Sequence, residues 1–327
     1  PYYQVARFAA PTLMAGNTVL LKHAEICPRS AEAIQAIMDE AIQATGAPAH
    51  LYTNIRATHD QVADLIADMR VQGVSLTGSE RAGRAVAATA GQHLKKALLE
   101  LGGTDAYIVL DTDDVEAAAD TAWGKRIANT GQACTSNKRI IVMEDIYDDF
   151  VDAMVRRAKA FAQGDPLDPQ EGHFYPLSSR DAAEILDEQV KKAVEEGATL
   201  HVGGELTGDG AYFTPAVLTD VPVGSESYYA EFFGPVAEIY KVASDDEAVE
   251  VANNSNYGLG GAVFSQDEER AKKVANRVVT GMIHVNIPQA RGPELPFGGV
   301  KNSGFGRELG TLGMDEFVNK QRFYVAD

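Results

Sequence analysis

Cys134 closes the run Asn129-Thr-Gly-Gln-Ala-Cys134, and Glu100 sits within Leu98-Leu-Glu-Leu-Gly-Gly103. A thiol at the end of a Gly-Gln turn can add to a carbonyl, and a carboxylate opening a Gly-Gly turn can activate the water that breaks the resulting thioester. Thr135, Ser136 and Asn137 follow the thiol. That polar collar suits a cysteine that meets solvent and substrate better than an inert core cysteine. Glu100 ends the apolar run Ala97-Leu-Leu, where an ionisable group is unfavourable unless it is paired or functional. A salt bridge to Lys95 or Lys96 would also explain it, but strand alternation puts neighbours on opposite faces.

Other groups suit a phosphate-bearing ligand. Gly78 and Gly83 bracket a turn between an expected strand and an expected helix, and a helix N-terminus offers free N–H groups and partial positive charge. The spacing is not that of the dinucleotide fingerprint Gly-x-Gly-x-x-Gly. Lys22 and Glu25, at the end of an early strand, could bind ribose hydroxyls; taken alone, a solvated surface pair is the favoured account of them. Glu231-Phe-Phe-Gly-Pro235 offers a carboxylate and aromatics at a turn. It fits a second ribose contact with an aromatic wall, and fits a packed hairpin corner as well.

These groups need a scaffold to hold them. Segment 19–22 reads as a short buried strand, and Pro28-Arg-Ser30 opens a helix to about residue 45 that Gly46 stops. Thr58 and Gln61 form a capping-box signature before the amphipathic stretch 62–69. Segments 73–77, 96–100 and 107–111 read as strands, with a helix from Gly83 through about Ala90. Further on, helices are expected over 114–127, 147–161, 181–196, 247–253 and 268–278. Strands are expected over 139–143, 236–240, 261–264 and 282–286. The alternation points to an α/β fold of parallel, doubly wound sheets. Segment 316–325 reads as an edge strand with nothing downstream to pair with, the kind that finds its partner in another subunit.

A chain of 327 residues has room for two domains with cores of their own. A formal charge of −18 repels phosphate backbones, so nucleic acid is not an expected partner. One lysine and one helix N-terminus still suffice to hold a pyrophosphate. The two cysteines, Cys27 and Cys134, suit a reducing cytoplasm, and Cys27, beside Pro28, reads as structural. No apolar run approaches the ~20 residues that span a bilayer, so no membrane partner is expected, and no metal. The opening Pro1-Tyr-Tyr-Gln4 has no cap and no strand lead-in and reads as a cut.

Taken together, the motifs resemble the NAD(P)-dependent aldehyde dehydrogenase superfamily. The resemblance rests on Leu21-Lys-His-Ala-Glu25, Thr77-Gly-Ser-Glu-Arg-Ala-Gly83, Leu99-Glu-Leu-Gly-Gly103, Asn129-Thr-Gly-Gln-Ala-Cys134, Glu231-Phe-Phe-Gly-Pro235, Asn256-Tyr-Gly-Leu259, and Pro296-Phe-Gly-Gly299 with Ser303-Gly-Phe-Gly-Arg-Glu308. They stand in the family's order along essentially the whole chain. The resemblance implies two doubly wound parallel-sheet α/β domains, incomplete at the N-terminus. Residues 1–102 would form part of the cofactor-binding domain and 103–295 the catalytic domain. Residues 296–327 would return to the cofactor domain and end in an oligomerisation strand, in a homodimer or homotetramer.

The roles implied are these. Cys134 is the nucleophile and Glu100 the general base. Lys22 and Glu25 contact the adenosine ribose, and Gly78 and Ser79 form the turn at the pyrophosphate. Glu231 holds the nicotinamide ribose, with Phe233 beside the nicotinamide. The thiolate adds to an aldehyde, hydride passes to the cofactor, and water activated by Glu100 hydrolyses the thioester to a carboxylic acid. Glu100 argues against the CoA-acylating and phosphate-reducing branches, which generally lack this base. Glu25 favours NAD, because a carboxylate at the ribose repels a 2′-phosphate; Lys22 beside it leaves NADP open.

The departure is at the front. Family members place an Asn, half of the oxyanion hole, immediately before the Pro that matches Pro1, and a long segment upstream of it. One oxyanion donor is worth ~10²–10³ in turnover, so a truncated chain that keeps cofactor contacts without turnover is the alternative reading. For substrate, Arg7 stands where succinate-semialdehyde members carry an Arg, placed for the far carboxylate, and a guanidinium suits such a group. A surface salt bridge is the plainer account of it. A second Arg of some such members is Ala128 here, leaving Arg126 and Arg291 as substitutes. Glutarate semialdehyde is the other carboxylated candidate, since one methylene is worth only ~1–3 kcal/mol in a pocket.

Overall fold

The computed structural model describes residues 1–208 and 210–326. The chain divides into two compact units. One comprises Pro1–Leu101, Arg291–Gly298 and Gly304–Asp327; the other comprises Gly102–Ala290 and Gly299–Ser303.

The second unit is built on a seven-stranded sheet. Its strand order is His284–Val285, Gly261–Phe264, Ala106–Val109, Arg139–Met143, Val236–Val242, Ala216–Thr219, Thr199–Val202. Every neighbouring pair is parallel except the last, which is antiparallel. Side chains alternate across the pleat. Ile141 joins Leu186, Val190, Val249 and Val274 on one face, while Ile140 and Val142 join Ala122, Trp123, Phe150 and Met154 on the other. Helices Arg180–Glu196, Asp245–Asn253 and Glu268–Ala275 supply the first layer, and Val115–Ile127 and Glu144–Ala160 the second. With both faces covered, a central strand must be apolar throughout, which is why Arg139–Met143 continues as an unbroken Ile-Ile-Val run. Asp114, Ser179, Ser244 and Asp267 each cap the helix that follows by accepting a backbone N–H.

The first unit opens with helix Tyr3–Met14. Strand Val19–Lys22 pairs in parallel with Tyr52–Ile55. Helix Pro28–Thr45 connects them, with Pro28 in its first turn and Gly46 in the left-handed conformation at its end. Thr58 and Gln61 make both bonds of the capping box. A separate three-stranded sheet runs Gly304–Phe305, Lys96–Glu100, Gly73–Thr77. The last two are parallel, and Gly304–Phe305 is antiparallel to Lys96–Glu100. Gly304 has φ +109, and a Cβ there would overlap the carbonyl of Leu99, so only glycine lets this strand lie against its neighbour.

The structure departs from the sequence reading in several places. Strands Tyr52–Ile55, Thr199–Val202 and Ala216–Thr219, and several two-residue strands, are present where no strand was expected. Segment 316–325 forms no strand. The last helix is Gly310–Met314, and Phe323 and Tyr324 beyond it are 87% and 80% exposed. A strand exists only where a neighbour's backbone takes its hydrogen bonds, and no described segment of this chain offers one. Among the described residues no helix is long and apolar enough to cross a membrane.

Candidate active site

The expected site residues fall in both units. Arg7, Lys22, Glu25, Gly78, Ser79 and Glu100 belong to the first, and Cys134, Glu231 and Phe233 to the second.

In the second unit, helix Val115–Ile127 runs into a turn in which Asn129, Thr130 and Gly131 all have positive φ, at +54, +53 and +72. For a β-branched residue such as Thr130 this is a strained conformation. A Cβ on Gly131 would overlap the carbonyl of Gly234. The turn therefore lets the Cys134 loop lie directly on the Glu231 loop. Cys134 follows, half-buried and in no disulfide.

Arg126 fastens this arrangement. It is fully buried, and its five N–H groups are all used. Nε donates to Val236 O at 2.7 Å, Nη1 to Gly131 O at 3.2 Å and Ser136 Oγ at 2.8 Å, and Nη2 to Phe232 O at 2.9 Å and Gly234 O at 2.5 Å. With no donor left, Arg126 is not available as a second receptor for a substrate carboxylate. The collar after the thiol turns inward as well. Ser136 donates to Arg126 O at 3.2 Å and Asn137 to Ala122 O at 3.1 Å, and both side chains are buried. Those two residues hold the loop rather than meeting solvent.

Lys138 had no place in the sequence reading. Its side chain is wholly buried, and Nζ donates to Ala133 O at 2.8 Å and Cys134 O at 3.2 Å and pairs with Glu231 Oε1 at 2.9 Å. The same carboxylate oxygen accepts Gly103 N–H at 3.0 Å, and a Cβ on Gly102 would overlap Glu231 Oε2. Lys138 Nζ also lies 5.6 Å from the centre of the Phe233 ring, which is 44% exposed. Glu231 and Phe233, two of the expected cofactor residues, are thus gathered around the peptide of Cys134. Nearby, burial pushes the Asp105 carboxyl up to about 6 against the pull of Lys138 and the Gly260 N–H. The signal for Lys138 was a Lys-Arg pair opening an otherwise apolar strand.

In the first unit, Glu100 ends its strand, and its carbonyl accepts the Gly78 N–H at 3.0 Å. The side chain is 1% exposed, and neither carboxylate oxygen has a hydrogen-bond partner. Burial, and then the nearby Glu308 carboxylate, push the carboxyl up to about 9, against a smaller pull from Arg7 and Arg307. Arg7 is buried rather than on the surface. Its Nε is hydrogen-bonded to the Glu308 carboxylate, and its guanidinium carbon lies 3.9 Å from the centre of the Phe297 ring. Its Nη2 has no partner. Burial also raises the Glu308 carboxyl, with Arg7 opposing. Lys22 and Glu25 form an ion pair at 3.4 Å, with Glu25 exposed. Ser79 caps helix Glu80–Gln92 by accepting Ala82 N–H at 3.3 Å, and a Cβ on Gly78 would make ordinary contact with the Leu76 side chain.

The sequence of the chain settles its kinship. Residues 1–323 match the aldehyde dehydrogenase family. The chain belongs to that family. It is 51% identical over 322 residues to a succinate-semialdehyde dehydrogenase, NADP(+), from Deinococcus radiodurans, which covers 98% of this chain and 66% of that protein. A succinic semialdehyde dehydrogenase from Streptococcus pyogenes, solved in complex with NADP+, is 47% identical with a TM-score of 0.95, over 100% of this chain and 71% of that one. A betaine aldehyde dehydrogenase from Staphylococcus aureus, solved in complex with NAD+, is 32% identical with a TM-score of 0.91, over 97% and 63%. The chain thus spans about two thirds of the length of these relatives.

The buried carboxyl of Glu100 makes a stability prediction. It holds its proton more tightly folded, at about 9, than at its ordinary value of 4.5. Folding therefore loses stability as pH rises from about 4.5 to about 9, and the loss levels off above. Glu100→Gln is neutral throughout. Its gain in Tm over the parent is expected to be larger near pH 8 than at about pH 5, and an equal gain at both would contradict the burial of this acid.

Proposed function

We propose that this family member catalyses the NAD(P)-dependent oxidation of an aldehyde to a carboxylic acid, with succinate semialdehyde the favoured substrate. The observation that carries this reading is the clamped loop of Cys134. A half-buried thiol follows a strained turn and shares its surroundings with an anchored carboxylate, Glu231, and an exposed ring, Phe233. In this reading the thiolate of Cys134 adds to the aldehyde carbonyl, giving a thiohemiacetal and then a thioester. Glu100, as a carboxylate, takes a proton from the water that hydrolyses the thioester. A bound nicotinamide supplies the hydride acceptor. The residues that would hold the cofactor are Lys22 and Glu25 at the adenosine ribose, Gly78 and Ser79 at the pyrophosphate, and Glu231 and Phe233 at the nicotinamide end. The helix N-terminus beside Gly78 and Ser79 and the exposed face of Phe233 fit that assignment.

The substrate half rests on Arg7. Its unpartnered, buried Nη2 is a donor of the kind that waits for a ligand, and we assign it to the far carboxylate. Cys134→Ala is expected to abolish cofactor reduction. Arg7→Met is expected to raise KM for succinate semialdehyde by about 10–100-fold, the worth of a charged hydrogen bond, with propanal little affected. Equal losses on both aldehydes would leave Arg7 acting only on Glu308 and Glu100.

For the cofactor, Glu25 by itself favours NAD. Its ion pair with Lys22 offsets that charge, and the relatives from D. radiodurans and S. pyogenes are named with NADP. We therefore put NADP on an equal footing with NAD. Glu25→Gln is expected to raise the NADP+ to NAD+ ratio of kcat/KM about two- to fivefold, as befits an exposed pair; no change would remove Glu25 from the ribose.

We also propose a homodimer or homotetramer in which segment 316–325 finds a strand partner in another subunit. A native mass equal to one chain, or an assembly unchanged by deleting that segment, would contradict it.

A further inference from the structure

We infer that Lys138 is a positioning residue that couples the carboxylate of Glu231 to the backbone of Cys134, an inference that rests on the dehydrogenase reading above. An ammonium has three donors and no acceptor. Two go to the carbonyls of residues 133 and 134, the peptides on either side of the thiol's Cα, and the ammonium is also ion-paired with Glu231 Oε1 at 2.9 Å. The side chain of Lys138 has no exposed surface, while that of Glu231 keeps 16%. Glu231 can therefore meet a ligand, and Lys138 can act only through it.

The pair is confined on its other side. The Gly103 N–H is bonded to the same oxygen, and Gly102 lacks the Cβ that would displace the second one. A buried charge cannot simply lose its partner, because the desolvation already incurred is then uncompensated. When Glu231 turns toward ribose hydroxyls, the Lys138 ammonium must either follow it or tighten on the carbonyls of residues 133 and 134. Each response moves the peptide that carries the nucleophile. Arg126 differs in kind. Its partners are four backbone carbonyls and the buried Ser136 hydroxyl, none of which meets a ligand.

The test measures alkylation of Cys134 by iodoacetamide, mapped by peptide mass to separate it from Cys27, with and without saturating NADP+ or NAD+. In the parent protein the cofactor is expected to change the Cys134 rate about fivefold or more, the lower range of a site-to-site coupling. Lys138→Met is expected to fold, to label Cys134 at a rate the cofactor no longer changes, and to raise the cofactor KM. Lys138→Arg, which keeps charge and donors, is expected to restore part of the response. Glu231→Gln is expected to lose it as Lys138→Met does, and the double variant to lose nothing more. A folded Lys138→Met that responds like the parent overturns the inference. So does a Glu231→Gln variant with full response, which decides the matter should Lys138→Met not fold. A parent that neither turns over nor responds overturns the dehydrogenase reading and this inference with it. A parent that turns over while Lys138→Met responds fully overturns the role of Lys138 alone.

Discussion

Buried positive charge dictates the path of the backbone around Cys134. Arg126 and Lys138 are both fully enclosed; every N–H of Arg126 has an acceptor, and Lys138 donates to two carbonyls and is ion-paired with Glu231. Burial pulls the Arg126 guanidinium down to about 10, which still leaves it charged at neutral pH. An enclosed cation is tolerable only when its hydrogen bonds are complete. Here most acceptors are main-chain carbonyls, so completing them fixes where those peptides lie. Residues 131, 133 and 134 on one loop and 232, 234 and 236 on the other are held by the two cations. The polar side chains beside the thiol serve the same end, with Ser136 both accepting from and donating to Arg126.

Two loops held this tightly need residues without side chains where they meet. Gly131 is required twice, by its positive φ and by the Gly234 carbonyl that faces it. Gly102 and Gly103 yield space to the Glu231 carboxylate and to the carbonyl of Cys134. Thr130 shows the energetic consequence: a β-branched residue sits at φ +53, a conformation that persists only where its surroundings over-determine it. The clamp by Arg126 is that over-determination. Strain next to Cys134 and buried charge beneath it are two sides of one arrangement.

Much of this was legible beforehand, and the limits have physical causes. Strands 73–77, 96–100, 139–143 and 261–264 and the caps at Thr58 and Gly46 follow from local pattern and came out as read. Ala216–Thr219 is as apolar as any strand here, but four residues between Pro215 and Asp220 carry no periodicity to separate strand from turn. Segment 316–325 has strand composition and no strand, because pairing is a property of two segments and not of one. Cys134, Glu231 and Phe233 stand out by type. Lys138 did not, since a lysine is ordinarily a surface residue; only the fold shows that it points under the thiol's own peptide. Ser136 and Asn137 misled in the other direction, because hydroxyl and amide groups satisfy a buried backbone as readily as they face water.

The first unit applies the same electrostatics with the opposite sign. Two buried carboxyls, Glu308 and Glu100, lie near Arg7, which gives its hydrogen bond to Glu308, and Arg307 adds a smaller pull on Glu100. These cations do not offset the burial of both acids. Glu100, which has no hydrogen bond at either oxygen, is the one that retains its proton. The largest cause of its raised value is burial, and no hydrogen bond at either oxygen offsets it. Gly298, which has no Cβ to set against Glu100 Oε1, leaves the near wall of its pocket bare.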